Sequence, residues 1–144
     1  MSETQRTLDP ARTVALVDGL ARVHGRLTTL VSEATATSTL TPSEGMALRV
    51  VAGAPEGLSQ SRWGRQLGVS RQRAHALAEG LAARGLLTVE RAGRASSVRV
   101  TASGAAALAG QVALIGAALG PRLAEVADSD DLLASLEALE DRLV

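Results

Sequence analysis

Between Thr13 and Val31 apolar residues fall at Leu16, Leu20, Val23, Leu27 and Leu30, in steps of 4, 3, 4 and 3. That spacing predicts an amphipathic helix with one apolar stripe, widened by Val17 and Val31. So long and narrow-faced a helix is expected to pack along another long helix. The periodicity fades over Ser32–Thr39, which reads as a frayed end or loop. A second long stripe runs from Gly104 to Val126 through Leu108, Val112, Ile115, Leu119, Leu123 and Val126, with a kink expected at Gly120-Pro121. A third follows Ser129, with Leu132, Leu136, Leu139 and Leu143. These three stripes predict a layer of helices separate from the middle of the chain.

The middle is patterned differently. Thr41-Pro42-Ser43-Glu44 is a helix start: Thr41 caps, Pro42 takes the first helical position and Glu44 completes a capping box. The helix buries Leu48 and Val51 and ends at the turn-rich Gly53–Gly57. Ser59 caps a short helix through Leu67, which Gly68 closes as a left-handed cap. Ser70 caps a second helix from Arg71 to about Arg84, stopped by Gly85. Its buried face is Ala74, Leu77, Ala78 and Leu81, and Arg71, Gln72, Arg73, His75 and Ala76 are left outward. Leu86–Glu90 and Ser97–Thr101 are β-prone runs around Arg91–Ala95, which predicts a hairpin with Arg94 at or near its tip. Two helices across a tight turn, followed by a hairpin, outline a winged helix-turn-helix.

Composition narrows the picture further. The 144 residues are 46% hydrophobic, enough for one domain, and Trp63 is the sole aromatic, so the core is built from Leu, Val and Ala. The absence of Cys excludes disulfides, thiolate nucleophiles, thiol switches and cysteine-ligated zinc. All 15 basic residues are Arg, which excludes a P-loop or Schiff-base lysine. The opening MSETQRTLDP has no apolar core of a secretory signal, and a cytoplasmic location is expected. Val100–Pro121 holds 22 residues without a charge, long enough to span a bilayer. Its Ala and Gly content, Thr101, Ser103 and Gln111, and its one-sided apolarity point to a packed helix, so no membrane partner is expected.

The net charge of zero conceals an asymmetry. From Gly57 to Thr101 eight Arg face two acids, an excess of six positive charges, whereas from Gly120 to Val144 seven acids face two Arg. The middle suits a polyanion and the end does not. An α-helix fits the major groove of double-stranded DNA, where Arg pairs with guanine and Gln with adenine. Arg71, Gln72, Arg73 and His75 supply that chemistry on the second helix, and Ser70 leaves its positive dipole end near phosphate. Arg62 and Arg65 on the preceding helix and Arg91 and Arg94 on the wing are placed to reach phosphates or the minor groove. An ordinary solvated arginine face is the alternative, and the concentration within one motif favours DNA.

Other classes fare worse. Only His24 and His75, on different helices, and no Cys, Lys or Tyr are available for catalysis, so no catalytic residue and no cofactor are assigned. Asp128, Asp130 and Asp131 resemble part of a calcium loop but lack its Gly, and an acidic helix start explains them better, so no metal is assigned. A winged helix used only for protein contacts is opposed by the eight arginines but not forbidden.

Leu58–Leu87, then VERAGRASSVRVTASG and the closing SDDLLASLEALEDRL, together resemble the MarR family of winged helix-turn-helix transcriptional regulators. The resemblance includes Leu40-Thr41-Pro42 opening the second helix and the Val-Thr-x-x-Gly of Val100, Thr101 and Gly104 after the wing. It implies a mainly α fold with a small β-hairpin wing, one domain over residues 1–144, a DNA-binding region over 40–101 and a helical dimerisation region over 11–37 and 104–144. The implied function is a sequence-specific regulator, a repressor, acting as a homodimer on a pseudo-palindromic operator. Release by a small, often phenolic or anionic, effector settling between the two layers is implied as well; constitutive DNA binding is the alternative. Two places depart from the family pattern. Ala92-Gly93-Arg94 stands where the wing usually carries Asp-x-Arg, in a wing several residues shorter, and Trp63-Gly64 stands where Leu-Ala is common. Trp63 is expected to anchor the core between helices.

Overall fold

The computed structural model describes residues 7–126 and 128–143; Met1–Arg6 of the polar opening stretch, Ala127 and Val144 lie outside the described residues. The elements are α1 (Pro10–Ala34), α2 (Pro42–Ala52), β1 (Leu58–Ser59), α3 (Gln60–Leu67), α4 (Arg71–Ala83), β2 (Leu87–Ala92), β3 (Ala95–Val100), α5 (Ala102–Ala124) and α6 (Ser129–Leu143). The fold is mainly α with a small antiparallel wing, as expected.

Local chemistry accounts for most boundaries. The capping box of α2 is complete: Thr41 Oγ1 accepts from the Glu44 amide and Glu44 Oε2 accepts from the Thr41 amide. Ser59 and Ser70 cap α3 and α4 by accepting from the amides of Arg62 and Arg73, and Gly68 between them has φ 65°. α1 is longer than the Thr13–Val31 stripe, because Asp9 caps it ahead of Pro10 and the helix runs on to Ala34, into the stretch expected to be a frayed end or loop. α5 starts at Ala102 rather than Gly104. Thr101, expected to end the second strand, is its cap: the hydroxyl accepts from the Gly104 amide and donates to the Gly85 carbonyl. Pro121 lies inside α5 without ending it. Asp128 Oδ1 accepts from the amides of Asp130 and Asp131, so this acidic cluster starts α6.

The sheet has three strands in the order β1-β3-β2, where a two-stranded hairpin was expected. β1 pairs Leu58 with Val98 and Ser59 with Ser97. The hairpin is tighter than predicted. β2 runs to Ala92 and β3 starts at Ala95, leaving Gly93 and Arg94 as a two-residue turn and Arg91 within a strand. Gly93 supplies the positive φ, 62°, that such a turn needs at its first position.

One core joins α2, α3, α4, the sheet and the start of α5, around Leu48, Val51, Trp63, Ala78, Leu81 and Val98. Trp63 is fully buried and its Nε1 donates to the Ala47 carbonyl at 3.0 Å, tying α3 to α2. A Cβ on Gly64 would come within 3.0 Å of Ala74 Cβ, so a small residue beside Trp63 lets α3 and α4 cross closely. At Gly104 a Cβ would fall 1.9 Å from the Leu86 carbonyl oxygen, which explains glycine three residues after the Thr101 cap.

The outer helices are different. Neither α1 nor α6 contains a buried residue. Leu16, Leu20, Val23, Leu132, Leu136 and Leu139 are among the exposed large hydrophobics. α5, the one described helix long and apolar enough to cross a membrane, packs against α1 and α2 and buries Leu108, Gln111 and Leu119.

Candidate nucleic-acid interface and the adjoining cavity

The surface around the start of α4 is assembled from three elements. Ala74, Ala78 and Leu81 are buried, with half-buried Leu77 packed against the core, which turns Arg71, Gln72, Arg73 and His75 outward, all exposed. Arg62 and Arg65 on α3 and Arg94 at the wing turn are exposed too. Among the described residues, the side chains of Arg62, Arg65, Arg71, Arg73 and Arg94 make no hydrogen bond or ion pair. Five guanidinium groups, two on the first turn of α4, two on α3 and one at the wing turn, are thus uncompensated, and the helix dipole adds positive potential at the start of α4. Ser70 contributes by holding that terminus, since its hydroxyl accepts from the Arg73 amide at 3.2 Å.

Arg91 is placed otherwise. Its Nη2 donates to Glu79 Oε1 on α4 at 3.0 Å, so it braces the wing against the helix. A second brace was not foreseen from the sequence: Ser96 Oγ donates to Gln60 Oε1 at 3.1 Å, and Gln60 Nε2 lies 3.4 Å from His75 Nδ1. Only the β1–β3 pairing brings Ser96 beside Gln60, and no local pattern announces it. Arg99, one of the eight arginines of the basic segment, is spent on the Glu56 carbonyl at 2.9 Å.

Behind this surface lies a cavity of about 770 Å³ between α1, α2, the α3–α4 pair and α5. Its walls include Leu27, Val31, Met46, Leu77, Val112 and Ile115, with polar groups from His24, Thr28, Ser43, Arg49 and Arg73. The lining contains two arginines and no carboxylate. Arg73 therefore borders both the outward face of α4 and the cavity. Arg49 was not singled out in the sequence. It is half-buried, its pKa is lowered by that burial, and Arg49 Nη1 donates to Gln111 Oε1 at 3.1 Å. Among the described residues no three His, Asp or Glu side chains come together as metal ligands.

Comparison with known proteins agrees with this geometry. Residues 38–95 match the model of the MarR family. No curated protein sequence matches the chain. Among solved structures, BldR from Sulfolobus solfataricus, a transcriptional regulator, is similar with a TM-score of 0.81 at 16% identity, over 94% of this chain and 99% of that one. The transcriptional repressor CouR bound to a 23-mer DNA duplex is similar with a TM-score of 0.75 at 24% identity, over 97% of this chain and 100% of that one. CouR from Rhodococcus jostii RHA1 bound to p-coumaroyl-CoA is similar with a TM-score of 0.72 at 22% identity, over 84% of this chain and 86% of that one. The match to the MarR family thus spans α2, the helix-turn-helix and the first strand of the wing, and the fold shared with these transcriptional regulators continues through both outer helices.

Proposed function

We propose that this regulator acts as a homodimeric repressor that binds a pseudo-palindromic operator in double-stranded DNA and is released by a small-molecule effector. The observation that carries DNA binding is the set of unpaired guanidinium groups around the start of α4. In this reading Arg71, Gln72, Arg73 and His75 enter the major groove, the helix end capped by Ser70 lies near phosphate with Arg62 and Arg65, and Arg94 reaches the backbone or minor groove from the wing turn. Arg91 joins them once Glu79 releases it. CouR, similar in fold, is a repressor seen on a DNA duplex, which supports the same use of this surface.

The exposed apolar stripes support a dimer built from residues 11–37 and 104–144. The folded chain exposes 10641 Å². A compact monomer of 14.7 kDa would expose about 6,900 Å². Pairing two copies through α1, α5 and α6 removes much of that excess from water and sets two α4 helices on successive major grooves, about 10 base pairs apart. The cavity supports an effector: apolar walls with two arginines suit an apolar molecule bearing one anionic group. CouR bound to p-coumaroyl-CoA shows a related fold accepting a ligand. The protein is a regulator and not an enzyme, and a cytoplasmic location belongs to the same reading.

Selection of bound duplexes from a random pool tests this. An inverted repeat with half-sites one helical turn apart is expected; recovery of no consensus would contradict it.

A further inference from the structure

Gln111 is an unusual residue for its place. It sits on the apolar helix α5, is 1% exposed, and has every donor in use: Nε2 donates to the carbonyls of Leu40 at 3.2 Å and Thr41 at 3.1 Å. Its Oε1 accepts from Arg49. The carboxamide occupies the space where any other residue at position 45 would carry its Cβ, which would fall 1.6 Å from Oε1. Gly45 and Arg49, one turn apart on α2, thus form a socket and a partner for one side chain of α5.

The hydrogen bonds continue from there. Thr41 and Glu44 form the capping box of α2, and Glu44 Oε2 also accepts from Arg84 Nη1 at 2.9 Å. Arg84 is the C-terminal cap of α4, and its second nitrogen donates to the Thr39 carbonyl. An unbroken polar chain therefore runs from the Arg49 guanidinium, in the cavity wall, to the far end of the recognition helix. Arg49 has no carboxylate partner among the described residues. An anion entering the cavity offers it a charge-assisted bond, stronger than the neutral amide it now serves.

We infer that Gln111 is the positioning residue coupling the cavity to α4: an apolar monoanion draws Arg49 off Gln111, and the freed carboxamide loosens the Thr41–Glu44–Arg84 tether of the recognition helix. The inference rests on the effector reading above and deepens it. Interposed residues do not by themselves establish coupling, so the test measures coupling directly.

The probes are 8-anilinonaphthalene-1-sulfonate and its uncharged counterpart N-phenyl-1-naphthylamine, titrated into the full-length protein with and without the selected duplex. In the wild type the sulfonate probe is expected to weaken DNA binding by about tenfold, and the uncharged probe by less than about twofold if the anion is the trigger. Gln111→Met should bind the sulfonate probe as the wild type does, yet lose its effect on DNA affinity to within about twofold. Arg84→Met cuts the other end of the chain on an exposed side chain, keeps the test open if Gln111→Met does not fold, and should uncouple likewise. A wild type indifferent to the sulfonate probe overturns the effector reading together with this inference. A responsive wild type with equally responsive variants overturns the inference alone.

Discussion

Arg91 on β2 and Glu79 on α4 form an ion pair at 3.0 Å that fastens the wing to α4. Both side chains are more than half exposed, so the pair contributes at most about 1 kcal/mol to stability. Its larger effect is on charge, because Glu79 is an acid close to the surface proposed for DNA and holds an arginine that would otherwise be free. Glu79→Gln is therefore expected to raise DNA affinity several-fold while moving the unfolding free energy by less than about 1 kcal/mol. Anisotropy titrations beside urea unfolding check both, and a loss of affinity would assign the pair a positioning role instead.

Arg73 and Arg94 are expected to differ in kind. Arg73 lies on the first turn of α4, where a side chain reaches base edges, and Arg94 lies at the wing turn. Arg73→Ala should cost about 1–3 kcal/mol and relax preference at one base. Arg94→Ala should weaken all sequences alike and make the salt slope shallower by about 1. Binding measured on the selected duplex and on single-base variants separates the two, and a uniform loss for Arg73→Ala would make it a phosphate contact.

The helix junction below the wing tolerates no side chain at position 104. The Leu86 carbonyl oxygen would lie 1.9 Å from an added Cβ, and backbone, unlike a flexible side chain, cannot step aside. Gly104→Ala should destabilise the protein by about 1–3 kcal/mol or more, as overpacking does, with a lower urea midpoint as the readout. An unchanged midpoint would show that α5 can slide off β2 freely.

Leu136 and Leu139 are 44% and 36% exposed on a helix that buries nothing. If α6 completes a dimer, Leu136→Asp with Leu139→Asp should halve the sedimenting mass while the winged helix stays folded. An intact dimer in the double variant would move the interface elsewhere.

Much of this fold was legible because its boundaries are set by neighbours in sequence. The Thr41 capping box, the Ser59 and Ser70 caps and the Gly68 stop each depend on atoms within four residues. The outward set on α4 follows from the periodicity of Ala74, Ala78 and Leu81. What the sequence concealed depends on distant partners. β1 is two residues long and exists through pairing with β3, 38 to 40 positions away. Thr101 continued a β-prone run, and only the approach of the Gly85 carbonyl makes its role as a helix cap plain. Gln111 read as a polar interruption in an uncharged helix, since nothing near it in sequence hints at Gly45, Arg49 or the Leu40 carbonyl. No lining residue of the cavity between the layers could be named for the same reason: its walls come from five helices.

The unpaired arginines of α3, α4 and the wing turn are expected to bind DNA. Each phosphate neutralised should contribute about −0.9 to the slope of log affinity against log salt. With Arg62, Arg65 and Arg94 on phosphate in each of two protomers, fluorescence anisotropy with double-stranded DNA over a range of salt should give a slope of about −5 or steeper. Weak binding that is flat with salt would contradict the account.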